Sequence, residues 1–167
     1  RAMKKATTHQ YLREFEVATY LAQNTWRTLY NLKKQEFYPD VIYAHPGWGD
    51  AMLVKDIYPK SKYIAYAEFY YRSRGADIGF DKSSPVSSNV IAKSRIRNST
   101  NLINMVAADW LISPTHWQAH LHPIELHQKL SVMHEGIDTD YIKPQKIANS
   151  ANQSIKILTK LNIPPDA

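Results

Sequence analysis

Residues 39–74, PDVIYAHPGWGDAMLVKDIYPKSKYIAYAEFYYRSR, limit what this chain can fold into more than any other stretch. An apolar run over 41–44 leads into a turn carrying His45, Gly47, Trp48, Gly49 and Asp50. A short helix over 51–57 follows, closed by Pro59, and a second apolar and aromatic run spans 63–69. A strand, a helical crossover and a strand form the unit of a parallel α/β sheet. Ligands of such sheets bind outside the carboxyl ends of the strands. Here both carboxyl ends carry ionisable residues, His45 and Glu68.

The flanking sequence extends the alternation. Over 8–36 the residues Tyr11, Phe15, Ala18, Ala22, Trp26 and Leu29 recur at helical spacing, with Glu14, Gln23, Arg27, Lys33 and Lys34 largely off the stripe. One long amphipathic helix is predicted, ending where Pro39 disfavours helical geometry at Tyr38. A doubly wound domain opens with a strand, so a chain opening with this helix is expected to lack its first strand. The uninterrupted apolar run 41–44 reads as a strand buried on both faces. Asp50 is placed to cap the helix after it. Beyond Arg72 a loop rich in Gly and Ser takes in Gly75, Gly79 and 83–88 with Pro85, and loops of that length carry function or move.

A second helix is predicted over 88–108. Its middle is polar, with Lys93, Arg95, Arg97, Asn98 and Asn101, so it faces solvent or lines a cleft. A third strand covers 110–113, and Ser113-Pro114 reads as a capping hydroxyl followed by a first-turn proline, opening a helix to Leu121. A turn over 123–128 precedes a fourth strand over 130–134 and the turn His134-Glu135-Gly136-Ile137-Asp138. Residues 146–154 are polar and linker-like, and Ile155, Ile157 and Leu158 suggest one further strand.

A length of 167 residues suits one domain, and 44% hydrophobic with 22% charged residues excludes a disordered chain. No run of 18 apolar residues and no charged-then-apolar leader is present, so neither a membrane span nor a signal peptide is expected. The absence of cysteine excludes disulfides and thiolate metal sites and fits a cytosolic setting. A net charge of +6 favours anionic partners. It is spread without a Lys/Arg run, which ranks a solvated basic surface first, a membrane or substrate patch second and nucleic acid third. The 11 Tyr and 4 Trp suit carbohydrate contacts as well as an ordinary core.

Four blocks in order, PDVIYAHPGWGD, KYIAYAEFYYRSRGADIGFD, ADWLISPTHWQ and LSVMHEGIDTDYIKP, resemble the amino-terminal domain of bacterial family-four glycosyltransferases over roughly residues 8–145. The third block is similar to that family's AD-x-(I/V)-(I/V)-x-S strand, and 134–138 to its (P)NGVD strand-end signature, with His134-Glu135 in place of Pro-Asn. The nearest subgroup reads HPGWGE and FEFFYRAEGADVGFD, so Asp50 stands for a Glu; many members carry His where Glu68 stands.

The resemblance implies an α/β, Rossmann-like three-layer domain with a mainly parallel sheet, the N-terminal half of a GT-B glycosyltransferase. Residues 1–145 would be the acceptor-side domain, and 146–167 a linker and the start of a missing C-terminal donor domain with an E-x7-E motif. The implied activity is retaining, hexosyl-type transfer from a nucleotide-sugar donor to a glycan or lipid-linked acceptor in polysaccharide biosynthesis. These residues alone would be inactive. The nucleotide sugar would be a co-substrate, with no cofactor and no metal, in the cytoplasm or peripherally at the inner membrane face. The alternatives are another GT-B enzyme such as a sugar epimerase, or a non-catalytic basic domain binding nucleic acid or membrane.

Within this frame His45, extended before Pro46, is either structural or a hydrogen-bond donor to a sugar or phosphate. Glu68 is either half of an ion pair with Arg72 or Arg74, or a carboxylate that holds a hydroxyl or stabilises an oxocarbenium-like carbon. Transfer on one face needs no nucleophile pair. Gly47 and Gly49 let the turn around Trp48 approach a ligand. Tyr70, Tyr71, Arg72, Arg74 and Asp77 form either an acceptor-recognising rim, with aromatics for sugar faces and arginines for anionic groups, or a solvated loop. Glu135 would touch the donor, and Gly136 and Asp138 would shape the turn. His116 and His120 stand at i and i+4 without the Glu of a zinc hydrolase helix or a third ligand, and are read as packed or solvated.

Overall fold

A computed structural model describes residues 8–81 and 83–143. The chain divides into one compact unit, Arg1–Glu135, and another, Gly136–Ala167, each taken by itself below. In the first unit α1 (Arg13–Lys34), β1 (Val41–Ala44), α2 (Val54–Ile57), β2 (Lys62–Tyr66), α3 (Ser88–Ala107), β3 (Trp110–Ser113), α4 (His116–Leu121), a 3₁₀ turn (Ile124–Lys129) and β4 (Leu130–Val132) follow in order. The four strands form one all-parallel sheet in the order β1-β2-β3-β4, with Ala44 beside Ala65 and Ala65 beside Leu111. The α/β, Rossmann-like class expected from the alternation is the class observed.

Every crossover steps to the next strand in the same direction, and right-handed crossovers then put all intervening helices on one face. Burial agrees. Tyr63, Ala65, Ala67 and Leu111 are fully buried against Ala51 and Val54 at the start of α2, Met105 and Ala108 at the end of α3, and Leu126. On the opposite face Val41, Tyr43 and Trp110 are 55%, 58% and 44% exposed. The described residues therefore build two layers of the three expected, and β1 is open on one face where its apolar run predicted burial on both.

α1 places Glu14 and Glu16 in its first turn and Lys33 and Lys34 in its last, matching the helix dipole. It buries the small residues Ala18 and Ala22, so its backbone comes close to the turn after β1. At Gly49, with φ of +101°, a Cβ would lie 2.4 Å from the Ala18 carbonyl oxygen. The turn rests directly on the helix.

Three local expectations are corrected. Asp50 caps no helix: α2 begins at Val54 after Leu53, without a side-chain cap, because Met52 N–H bonds the Gly49 carbonyl and Val54 N–H that of Ala51. Ser113 belongs to β3 and is buried; the cap of α4 is Thr115, whose Oγ1 accepts from the Gln118 N–H at 3.2 Å. The second and fourth strands end early, at Tyr66 and Val132, leaving Glu68 and His134 in the loops that follow. The linker at 146–154 and the strand at 155–158 lie outside the described residues. No helix of the described residues is long and apolar enough to cross a membrane.

Candidate active site

The polar centre of α3 divides by face: Lys93, Arg95 and Arg97 are exposed, as expected of a helix that faces solvent or lines a cleft, while its asparagines turn inward. Asn98, Asn101 and Asn104 recur every three residues and are at most 3% exposed. A buried amide without partners is costly, and each of these is matched by the loops at the carboxyl end of the sheet. Asn104 donates from Nδ2 to the Pro46 carbonyl at 2.9 Å and accepts the Tyr63 hydroxyl at 3.1 Å; burial drives that phenol pKa upward. Asn101 donates to the Phe69 carbonyl at 3.4 Å. Asn98 accepts the Tyr71 N–H at 2.9 Å and donates to the Tyr71 carbonyl at 2.7 Å. One helix thus holds the loop after β1 and the loop after β2.

The first loop presents His45 and the second Glu68, adjacent because β1 and β2 are paired in parallel. His45 Nε2 lies 3.1 Å from Glu68 Oε2. The Gly47 N–H donates to His45 Nδ1 at 3.1 Å, so Nδ1 is the acceptor nitrogen and Nε2 carries the proton that Glu68 receives. The partner anticipated for Glu68 was Arg72 or Arg74; the structure gives it His45. Burial is not what demands the pairing, since the Glu68 side chain is half exposed. The His45 ring also packs on Trp48 and Tyr66, with centroids 6.0 Å and 6.2 Å away.

Two cavities flank Tyr71, and His45 borders one of them. One, of about 360 Å³, is bordered by His45, Gly47, Trp48, Tyr71, Arg97 and the first half of α1. Of its two bordering arginines, Arg13 and Arg97, the second is paired: Arg97 Nε lies 2.8 Å from Glu14 Oε2 and the guanidinium sits 4.0 Å over the Tyr71 ring. Lys93 takes the other Glu14 oxygen at 2.9 Å. The second cavity, of about 370 Å³, is bordered by Tyr70, Tyr71, Arg72, Arg74, Ser94, Arg95 and Asn98, so Tyr71 is a wall of both.

Of the residues anticipated from sequence, His45, Gly47, Trp48 and Tyr71 come together at one cavity, and Tyr70, Tyr71, Arg72 and Arg74 at the other. Gly49 is buried under α1 and shapes the turn from below. Arg72 donates from Nε and Nη2 to the carbonyls of Leu121 and His120, fastening the C-terminal end of α4 to the loop. Glu135 acts electrostatically on the Tyr43 phenol, adding to burial in raising its pKa. Gly136, at φ of +78°, belongs to the second unit, where Asp138 Oδ1 accepts the N–H groups of Asp140 and Tyr141.

His120 Nδ1 contacts the His116 carbonyl at 2.6 Å, and among the described residues no three His, Asp or Glu side chains converge as metal ligands would. Sequence reasoning placed Arg95 and Asn98 in a helix centre that faces solvent or lines a cleft, without naming them as site residues, and missed Asn104. The only signal was the three-residue spacing of the asparagines.

The family described as the glycosyl transferase family 4 group matches residues 1–142. No curated protein matches the chain.

Proposed function

The chain belongs to the glycosyl transferase family 4 group, and from that premise we propose that it is the acceptor-side domain of a retaining glycosyltransferase using a nucleotide-sugar donor and a glycan or glycoconjugate acceptor. The observation that carries this reading is the His45–Glu68 pair, 3.1 Å apart beyond the carboxyl ends of two adjacent parallel strands and bordered by a cavity with an exposed Trp48.

In this mechanism Glu68 is an acceptor held in place from one side, by a His45 ring that Gly47 fixes in one tautomer. Half exposed, Glu68 keeps oxygen lone pairs for a sugar hydroxyl and a negative charge to set against the positive charge growing at the glycosyl carbon. Trp48 and Tyr71 offer aromatic faces to sugar rings. A donor-binding domain outside residues 1–142 forms the opposite wall, so these residues alone bind without turnover.

The test is turnover by the full-length protein with UDP-, GDP- and ADP-sugars, the donor being chosen by thermal shift. Glu68→Gln should lower kcat/KM by roughly a hundredfold and His45→Ala by roughly tenfold. Unchanged turnover in both variants would remove the pair from the mechanism.

A further inference from the structure

We propose that the cavity beyond β2 is a subsite for a phosphate group on the acceptor, so that the sugar accepting the transfer is a phosphorylated one. This rests on the transferase reading above. The cavity is about 370 Å³, near the lower end of small-molecule sites, and is bordered by three guanidinium groups, Arg72, Arg74 and Arg95, with no carboxylate among its bordering residues.

The three arginines are not equivalent. Arg72 is spent on the end of α4. Arg97 and Lys93, on the same helix as Arg95, are both ion-paired to the one carboxylate of Glu14. Among the described residues Arg74 and Arg95 form no ion pair and no carboxylate borders this cavity, so its positive charge is unopposed, whereas the neighbouring cavity is bordered by Glu14 beside Arg13 and Arg97. Arg95 and Arg72 both act on the Tyr70 phenol, against the burial that raises its pKa and a smaller opposing effect of Glu125.

The part of the wall formed by Tyr71 and Arg72 is held before any ligand arrives. Asn98 grips Tyr71 through both backbone groups, and Arg72 ties the loop to the end of α4. Two unpaired guanidinium groups beside a wall fixed at Tyr71 can recognise a phosphate by charge-assisted, bidentate hydrogen bonds. Ser73 adds a hydroxyl to the same border, while that of Ser94 already donates to the Ile91 carbonyl at 2.8 Å.

A phosphate could reach this cavity on the acceptor or on the diphosphate of the donor. The acceptor is favoured because Tyr71 separates the cavity from the one bordered by His45, which places a bound charge to one side of the reacting pair.

Isothermal titration of the full-length protein at low salt decides the matter, using inorganic phosphate, a hexose 6-phosphate, the same hexose without phosphate, and UDP, GDP and ADP. The hexose phosphate should bind more tightly than the neutral hexose, and Arg74→Gln with Arg95→Gln should weaken it roughly tenfold or more. A saturating mixture of the three nucleotides should leave its Kd unchanged. Equal binding by wild type and double variant, or one-for-one competition by the nucleotides, overturns the proposal. Nucleotide-sugar binding by the wild type is read separately: if no donor binds, the transferase reading fails, whatever the phosphate titration gives.

Discussion

At Gly49 the missing side chain decides how the first loop sits. Its φ of +101° is the left-handed region, and a Cβ would meet the Ala18 backbone at 2.4 Å and 2.6 Å. Gly49→Ala combines a backbone penalty with overpacking and should cost about 3 kcal/mol in urea unfolding; a change under about 1 kcal/mol would mean that α1 yields easily. His122 carries a pH prediction. It is 2% exposed, its Nδ1 donates to the Gln118 carbonyl, and desolvation lowers its pKa. The folded chain holds the neutral ring, so its contribution is complete above about pH 6.5, the unfolded value, and fades as pH falls toward the folded pKa. His122→Asn keeps an N–H for Gln118 and removes the titration; its unfolding midpoint should fall less than that of wild type between pH 7 and pH 5. The mobile-looking turn HPGWG was legible from its glycines. That Glu68 would meet His45, 23 residues away, was not, because only the parallel register brings the two strand ends together.

Among the elements, α3 was the hardest to read. Its periodicity gave its ends to within a residue, Ser88–Ala107 against an expected 88–108, and Ser87 caps it through its hydroxyl. Its buried asparagines could not be distinguished from a solvated face, since their partners are main-chain groups of remote loops, and any sequence supplies those. Asn98→Leu leaves both the N–H and the carbonyl of Tyr71 without that partner and should cost about 2–4 kcal/mol. Asn98→Asp keeps an acceptor for the N–H and sets a carboxylate against the carbonyl. Turnover should drop in both, and the Asp variant should be the more stable if the Tyr71 N–H bond dominates. Chemical denaturation of the pair checks the order.

For the whole first unit, strand–helix alternation was enough to predict a parallel α/β sheet, and the order β1-β2-β3-β4 follows from sequential right-handed crossovers. The open face was not legible: Val41 and Tyr43 are as apolar as buried strand residues, and strand composition does not record which neighbours are present. Protection should be graded accordingly. β2 is paired on both sides and has Tyr63 and Ala65 fully buried, whereas residues 72–81 and 83–87 are mostly exposed. Hydrogen-exchange mass spectrometry should find peptides covering Lys62–Tyr66 the slowest and those covering 72–87 among the fastest; comparable rates would contradict the architecture.

The three asparagines tie Pro46, Phe69 and Tyr71 to one helix rather than to one another. The distance between the two cavities is thereby set by the rise of α3, not by the conformation of either loop. If both are occupied during transfer, that fixed interval works as a ruler: an acceptor whose phosphate and reacting hydroxyl stand too close or too far apart can fill one end only. Regiochemistry would then be chosen by length, before any hydroxyl is distinguished from its neighbours.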